Sequence, residues 1–284
     1  MAYECFEVTH DGGIAHLKLC RPDQLNSMNR KFWYELPEIV RSIDREGKAR
    51  VIVISSTGKH FSAGMDLGVF ATGIGGVGTG GGGETAEIGR IRANLRLGVL
   101  EIQETFNLLE RSRIPVLTAI QGGCIGGAVD MISACDLRYA TRDAFFCIQE
   151  INIGMTADVG TLQRLPKIIP EGIVRELAYT GRRMPADRAR EVGLVNEVFA
   201  DHAALLDGVF TIAREIAERS PLAVWGSKEM INYSRDHTVA DSLNYMATWQ
   251  TGMFQPADMA ESFKARQEKR TPQYPDLLPV GKPI

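Results

Sequence analysis

Residues Gln121–Asp130, with the sequence Gln-Gly-Gly-Cys-Ile-Gly-Gly-Ala-Val-Asp, join an apolar run to a segment with helical spacing. Glycines at such a junction leave backbone N–H groups open to an incoming oxygen, and the start of a helix adds partial positive charge. A second glycine-containing stretch, His60–Leu67, follows shortly after the continuous apolar run Val51–Ile54. Two N–H groups converging from these loops would form an oxyanion hole; tight backbone packing is the alternative explanation for the glycines.

Short apolar runs alternate with helical patterns over the first two thirds of the chain. An alternation of apolar and polar residues predicts a strand at 14–19, and further strand-like stretches are at 51–54, 116–120, 136–140 and 144–148. Helical patterns predict helices near 29–46, 87–112 and 126–135. This alternation predicts an α/β architecture with largely parallel strands.

The last third of the chain shows helical patterns that follow one another without strands. They are predicted at 203–218, 221–233, 238–252 and 256–268. Trp225, Tyr245 and Trp249 lie on these segments, and Phe254 lies between the last two of them. We therefore expect a core domain over residues 1–202 and a C-terminal helical region over residues 203–284 that mediates self-association.

Composition excludes several classes of protein. Hydrophobic residues make up 44% of the 284 residues and charged residues 24%, and the formal net charge is −3. This balance gives no basic patch for nucleic acid. No apolar run approaches the roughly 18 residues that span a bilayer. The five histidines lack the spacing of metal ligands, so no metal site is expected.

Three acids are candidates for proton transfer. Asp130 falls in the first turn of the predicted helix, Glu150 follows a strand-like run, and Asp158 lies in a glycine-containing loop. Apolar neighbours around Glu150 and Asp158 would desolvate a carboxylate and raise its pKa. The alternative is that Asp130 supplies only a helix N-terminal charge and that the other two are surface acids.

Together, Phe61–Leu67 and Gly122–Asp130 resemble the crotonase (enoyl-CoA hydratase/isomerase) superfamily, and the resemblance covers nearly the whole chain. Within it, Asp143–Glu150, Ala157–Lys167 and Tyr233–Tyr245 are similar to the Δ3,5-Δ2,4-dienoyl-CoA isomerases. The resemblance implies a crotonase-like spiral of ββα turns with a C-terminal helical oligomerisation region, assembled as a homotrimer or homohexamer.

The resemblance also implies the functional residues. It puts the oxyanion-hole N–H groups at Met65 and Gly127 and the catalytic acids at Asp130, Glu150 and Asp158. The acyl-CoA thioester would bind along Ala63, Gly64, Met65, Asp66, Leu67 and Gly127. The implied reaction is isomerisation of a 3,5-dienoyl-CoA in fatty-acid β-oxidation, with no cofactor beyond the coenzyme A of the substrate.

Two alternatives stay open at the level of sequence. An enoyl-CoA hydratase on the same scaffold would use only the positions of Asp130 and Glu150, and a non-catalytic or RNA-binding relative would use neither. A glycine-rich segment, residues 73–83, lies where the family's loop over the acyl chain would be, so it leaves the chain length of the substrate open. Because no targeting pattern is recognised, we expect a cytoplasmic enzyme.

Overall fold

A computed structural model of the protein describes residues 3–66, 68–69 and 87–281. The glycine-rich segment 73–83 and Leu67 lie outside the described residues. The strands are β1 (Phe6–Asp11), β2 (Ile14–Leu19), β3 (Val51–Ser56), β4 (Val116–Ile120), β5 (Gly123–Ile125), β6 (Leu137–Thr141), β7 (Phe145–Cys147), β8 (Met184–Pro185) and β9 (Glu197–Phe199). The helices are α1 (Arg30–Glu46), α2 (Ile88–Arg111), α3 (Gly127–Ser133), α4 (Thr161–Arg164), α5 (Glu171–Thr180), α6 (Ala186–Glu191), α7 (His202–Ala217), α8 (Pro221–Ser234), α9 (Val239–Met253) and α10 (Pro256–Glu268).

The strands form two sheets. The larger has the order β1-β2-β3-β4-β6-β9, and the smaller has the order β5-β7-β8. Within the larger sheet, the described strand pairs from β2 to β9 are parallel, and β1 pairs with β2 in an antiparallel hairpin. From β4 to β7 successive strands alternate between the sheets, with β4 and β6 in the larger and β5 and β7 in the smaller. This alternation, with a helix after each pair, is the predicted spiral of ββα turns.

Both faces of the larger sheet are covered, which explains the continuous apolar runs of its central strands. Every residue of β3 is buried. On one face lies the main core, which includes Phe32, Phe106 and Met131. On the other face, α7 packs Leu205 and its neighbours against the sheet.

The predicted helices are present, with ends shifted by one or two residues. Their starts have local causes: Asn29 and Ser220 accept hydrogen bonds from the backbone N–H groups of Phe32 and Ala223, and Pro221 occupies the first position of α8. Since α7 packs on the sheet, it contributes to the core; the division between residues 202 and 203 stays a prediction. No helix in the described ranges combines the length and apolar character needed to cross a membrane.

Candidate active site

Backbone hydrogen bonds hold the segment after β3 against β5: the N–H of Ser62 donates to the carbonyl of Gly123 at 3.2 Å, and the N–H of Ile125 donates to the carbonyl of Ser62 at 3.1 Å. The hydroxyl of Ser62 donates to the carbonyl of Asn26 at 2.8 Å and accepts from the N–H of Gly64 at 3.1 Å. Gly64 has a φ of +81°, and a Cβ there would lie 2.5 Å from the carbonyl oxygen of Ile125. A glycine is therefore required at this close approach, which fixes the backbone just before Met65.

The N–H groups of Met65 and Gly127 approach each other from the two glycine-containing segments. A Cβ on Gly64 would lie 3.2 Å from the nitrogen of Gly127, and a Cβ on Gly127 would lie 3.8 Å from that of Met65. The bridge between Met28 and Met65 uses the carbonyl of Gly64 and the N–H of Asp66, so the Met65 N–H takes no part in it. The arrangement can offer two backbone donors to one oxygen.

Asp130 is fixed in the first turn of α3, and its side chain is buried. Asp130 is 1% exposed, and its Oδ1 accepts a hydrogen bond from the N–H of Thr161 at 2.6 Å. Desolvation raises the pKa of Asp130 to about 6, although the hydrogen bonds from Thr161 oppose the shift. The negative charge of Asp158 raises this pKa further, which indicates that the two carboxyl groups share one electrostatic environment.

Glu150 begins a single 3-10 turn, Glu150–Ile153, shortly after β7. A Cβ on Gly126 would lie 3.1 Å from its Oε1, so the carboxyl group sits beside the start of α3. Burial raises the pKa of Glu150 to about 7, and the charges of Asp130 and Asp158 add to the shift. A carboxyl group with a pKa near neutrality can accept and release protons under physiological conditions.

Asp158 lies in the loop that precedes α4. The residue is exposed, whereas its carboxyl group is partly desolvated, which raises its pKa. Its neighbours Ala157 and Val159 are buried and anchor the loop in the main core. The carbonyl of Asp158 accepts a hydrogen bond from Nε2 of Gln103 on α2 at 2.6 Å.

These groups line one cavity of about 680 Å³. Among the described residues, the lining includes the sequence-predicted Ala63, Met65, Asp66, Gly127, Asp130, Glu150 and Asp158. Gly64 is not among the described lining residues but lies close to the backbone of Ile125 and Gly127, and the prediction for Leu67 lies outside the described residues. Sequence reasoning missed part of the wall, namely Trp33, Val99, Ile102, Met155 and Arg183. Two of these residues, Val99 and Ile102, lie within the helix predicted at 87–112, and the apolar spacing of that helix is the sequence feature that could have indicated them.

The lining of the cavity combines apolar side chains with three carboxyl groups. Trp33, Val99 and Ile102 from α1 and α2 supply apolar side chains to the cavity wall. Within the described ranges, no group of three His, Cys, Asp or Glu side chains is arranged to hold a metal ion. The arrangement can therefore bind an apolar chain, place an oxygen at two N–H groups and move protons between carbon and carboxyl groups.

Comparison with known proteins places this site in a family. A profile described as enoyl-CoA hydratase/isomerase matches residues 9–277. The chain is 46% identical over 270 residues to the mitochondrial Δ3,5-Δ2,4-dienoyl-CoA isomerase of Mus musculus, covering 94% of this chain and 81% of that protein. It is 39% identical over 279 residues to the peroxisomal Δ3,5-Δ2,4-dienoyl-CoA isomerase of Arabidopsis thaliana, covering 97% and 99%. The solved enoyl-CoA hydratase of Bacillus anthracis matches with a TM-score of 0.83 at 31% identity, covering 95% of this chain and 99% of that one.

These relatives correct one expectation. The prediction of a cytoplasmic enzyme is wrong by this comparison, because the related isomerases are mitochondrial and peroxisomal proteins. A receptor reads an address segment separately from the folded domain, so the residues that build the core and the site carry no information about the compartment.

The expectations for the family and the fold are confirmed by the same comparison. The profile and the relatives span nearly the whole chain, including both glycine-containing segments and all three acids. The protein belongs to the enoyl-CoA hydratase/isomerase family.

Proposed function

We propose that the protein is a Δ3,5-Δ2,4-dienoyl-CoA isomerase that acts in fatty-acid β-oxidation. The observation that carries this proposal is the presence of three carboxyl groups, those of Asp130, Glu150 and Asp158, on one apolar cavity beside two convergent N–H groups. The similarity to isomerases of Mus musculus and Arabidopsis thaliana supports the same activity.

The reaction begins at carbon 2 of the thioester. The Glu150 carboxylate removes a proton from this carbon, and the electron pair moves into a dienolate whose negative charge collects on the thioester oxygen. The N–H groups of Met65 and Gly127 donate hydrogen bonds to that oxygen. One such preorganised donor contributes roughly 3 kcal/mol to transition-state stabilisation.

The reaction ends at carbon 6, at the other end of the dienolate. Asp158 delivers a proton there, and the double bonds settle at positions 2 and 4. Two acids are needed because carbons 2 and 6 are too far apart for one carboxyl group. After one turnover Glu150 is protonated and Asp158 is ionised. Proton exchange with water then returns both carboxyl groups to their starting states.

The third acid, Asp130, serves as a positioning and electrostatic group. Its carboxylate holds the N–H of Thr161, close to Asp158 in the chain, and its charge raises the pKa of Glu150. The substrate thioester lies along Ala63–Asp66 and Gly127, with its acyl chain against Trp33, Val99 and Ile102. The proposed reaction uses no cofactor, since coenzyme A is part of the substrate.

An enoyl-CoA hydratase is the second candidate, favoured by the likeness to the Bacillus anthracis structure that carries that name. A hydratase would use Asp130 and Glu150 to hold a water molecule and would not need Asp158. The presence of Asp158 on the same cavity favours the isomerase.

The decisive experiment separates the two halves of the reaction with two isosteric variants. Glu150→Gln should abolish exchange of the carbon 2 proton with deuterated solvent, because the base is gone. Asp158→Asn should preserve that exchange and slow diene formation by about 10² to 10⁴, the usual range for a general acid. Exchange is followed by mass spectrometry and diene formation by ultraviolet absorbance, with 2-enoyl-CoA as the comparison substrate. Formation of the conjugated diene by Asp158→Asn at the wild-type rate would overturn the donor role of Asp158. Consumption of 2-enoyl-CoA by the wild type, with no diene formed from the 3,5-dienoyl-CoA, would favour the hydratase.

A further inference from the structure

One face of α2 holds the loop that carries Asp158. Gln103, Asn107 and Glu110 are spaced by four and three residues, so their side chains leave the helix on the same side. Nε2 of Gln103 donates to the carbonyl of Asp158 at 2.6 Å. The same helix supplies Ile102 to the wall of the cavity. The acyl wall and the support of the loop are therefore parts of one element.

Arg164, the last residue of α4, connects the loop to this face. Its side chain is 11% exposed, and its Nε lies 3.0 Å from Oε2 of Glu110. Its Nη2 donates to Oδ1 of Asn107 at 2.5 Å, and its Nη1 donates to the carbonyl of Val159 at 3.5 Å. The guanidinium group thus contacts both α2 and the residue that follows Asp158. Its planar fork suits several simultaneous acceptors better than a lysine ammonium would.

The backbone beside Asp158 is adapted to this arginine. Gly160 has a φ of +130°, and a Cβ there would lie 1.8 Å from Nη1 of Arg164. The next residue, Thr161, donates its N–H to Asp130. The short segment 158–164 therefore carries Asp158, the hydrogen bond that holds Asp130, and the arginine that anchors both.

Glu110 is anchored from a second direction. Nη1 of Arg235, just beyond the end of α8, lies 2.6 Å from Oε1 of Glu110, and Nδ2 of Asn232 donates to the Glu110 carbonyl at 3.0 Å. Both carboxylate oxygens of Glu110 are thus engaged by arginines, and its side chain is 26% exposed. A partly buried carboxylate held on both sides is a rigid partner for Arg164.

We propose that Arg164 is a positioning residue for Asp158: through Glu110 and Asn107 it sets the distance between the Asp158 carboxyl group and the far end of the substrate. The inference rests on the proposed function, in which Asp158 delivers the proton to carbon 6. Glu150 lies on a different element, after β7, and has no contact with Arg164 among those that the structure describes. Loss of Arg164 therefore affects the second half of the reaction more strongly than the first, which it reaches only indirectly, through Asp130 and the charge of Asp130 on Glu150.

The test compares Arg164→Gln with the matched control Arg188→Gln, since Arg188 is exposed and pairs only with Glu191 on the surface of α6 among the described contacts. For Arg164→Gln we expect carbon 2 exchange within about threefold of wild type, unchanged KM, and diene formation slowed about 10- to 100-fold. A displacement of about 1 Å costs a rate of this order. The control should match the wild type in both assays. Rates are expressed per folded enzyme, determined by circular dichroism.

Glu110→Gln, which keeps the shape of the side chain and removes its charge, should give the same split between the two assays. Arg164→Lys should restore part of the diene rate, because the charge opposite Glu110 returns. A parallel fall of exchange and diene formation in the variants, or no change in either, would overturn the positioning role and leave the isomerase proposal intact. If the wild type exchanges the carbon 2 proton and forms no conjugated diene, both proposals fall together.

Discussion

At the scale of single residues, the protonation of Glu150 controls the proposed reaction. Burial and then the charge of Asp130 raise its pKa to about 7, and only the ionised form can act as the base. Asp158 must carry the proton that it delivers to carbon 6, so we expect a bell-shaped pH dependence of kcat/KM for diene formation, which rises as Glu150 ionises and falls as Asp158 loses its proton. The profile belongs to the coupled set of carboxyl groups rather than to Glu150 alone.

Asp130→Asn tests the electrostatic origin of this pKa. The amide oxygen can still accept the N–H of Thr161, but the negative charge that raises the pKa of Glu150 is gone. The rising limb of the pH profile should therefore move to lower pH, measured as kcat/KM from pH 5 to pH 9. A limb that stays in place or moves to higher pH would contradict the assignment.

At the scale of elements, Lys228 on α8 ties three parts of the core together. It is 7% exposed, and its Nζ donates to the carbonyls of Leu109 at 2.9 Å and Ile114 at 3.1 Å and to Oδ2 of Asp136 at 2.8 Å. The Leu109 carbonyl belongs to the last turn of α2, where backbone acceptors have no partner within the helix. The ammonium group therefore replaces water at a buried helix end.

Lys228→Met should destabilise the protein by on the order of 3 kcal/mol, since it leaves these acceptors buried and Asp136 unpaired. The free energy of unfolding is measured by urea titration at one fixed subunit concentration. Lys264→Met, at an exposed position of α10, is the control and should change stability by no more than about 0.5 kcal/mol. Equal midpoints for the two variants would show that the buried ammonium group is not needed for stability.

At the scale of the whole molecule, α8, α9 and α10 present apolar side chains to solvent. Ile231 is 63% exposed, Leu243 65% and Phe263 65%. Exposed apolar side chains of this size concentrated on neighbouring helices are typical of an interface. We propose that they mediate a closed homotrimer or homohexamer.

Sedimentation should show this assembly at micromolar concentration, and Leu243→Lys with Phe263→Glu should shift it to smaller species. Tyr34→Glu, a change at a 75% exposed residue of α1, is the control and should leave the assembly unchanged. A stable monomer of the wild-type chain would contradict the proposed role of the C-terminal helices.

The sequence alone predicted most of the elements that have a long, regular pattern. The helix predicted at 203–218 is observed at His202–Ala217, and the parallel strands at 51–54 and 116–120 lie side by side. These elements are predictable because burial on one face or on both repeats along the chain with the period of the structure. The strands β1, β5, β8 and β9 were missed: β5, β8 and β9 have two or three residues, too few to show a period, and β1 buries only Phe6, so it lacks a regular alternation of buried and exposed residues.

The candidate site, too, was predicted in part from the sequence and revealed in part only by the structure. The residues of the site were found from the chemistry of glycine-containing segments and from the family resemblance, which are properties of short stretches of sequence. Only the tertiary structure decided that Trp33, Val99 and Ile102 line the same cavity as the three acids, and that Arg164 reaches Glu110. These contacts join α1, α2 and α4, whose relative positions depend on packing across the whole core. No local pattern records such distances, because they arise from the simultaneous burial of many side chains that are far apart in the chain.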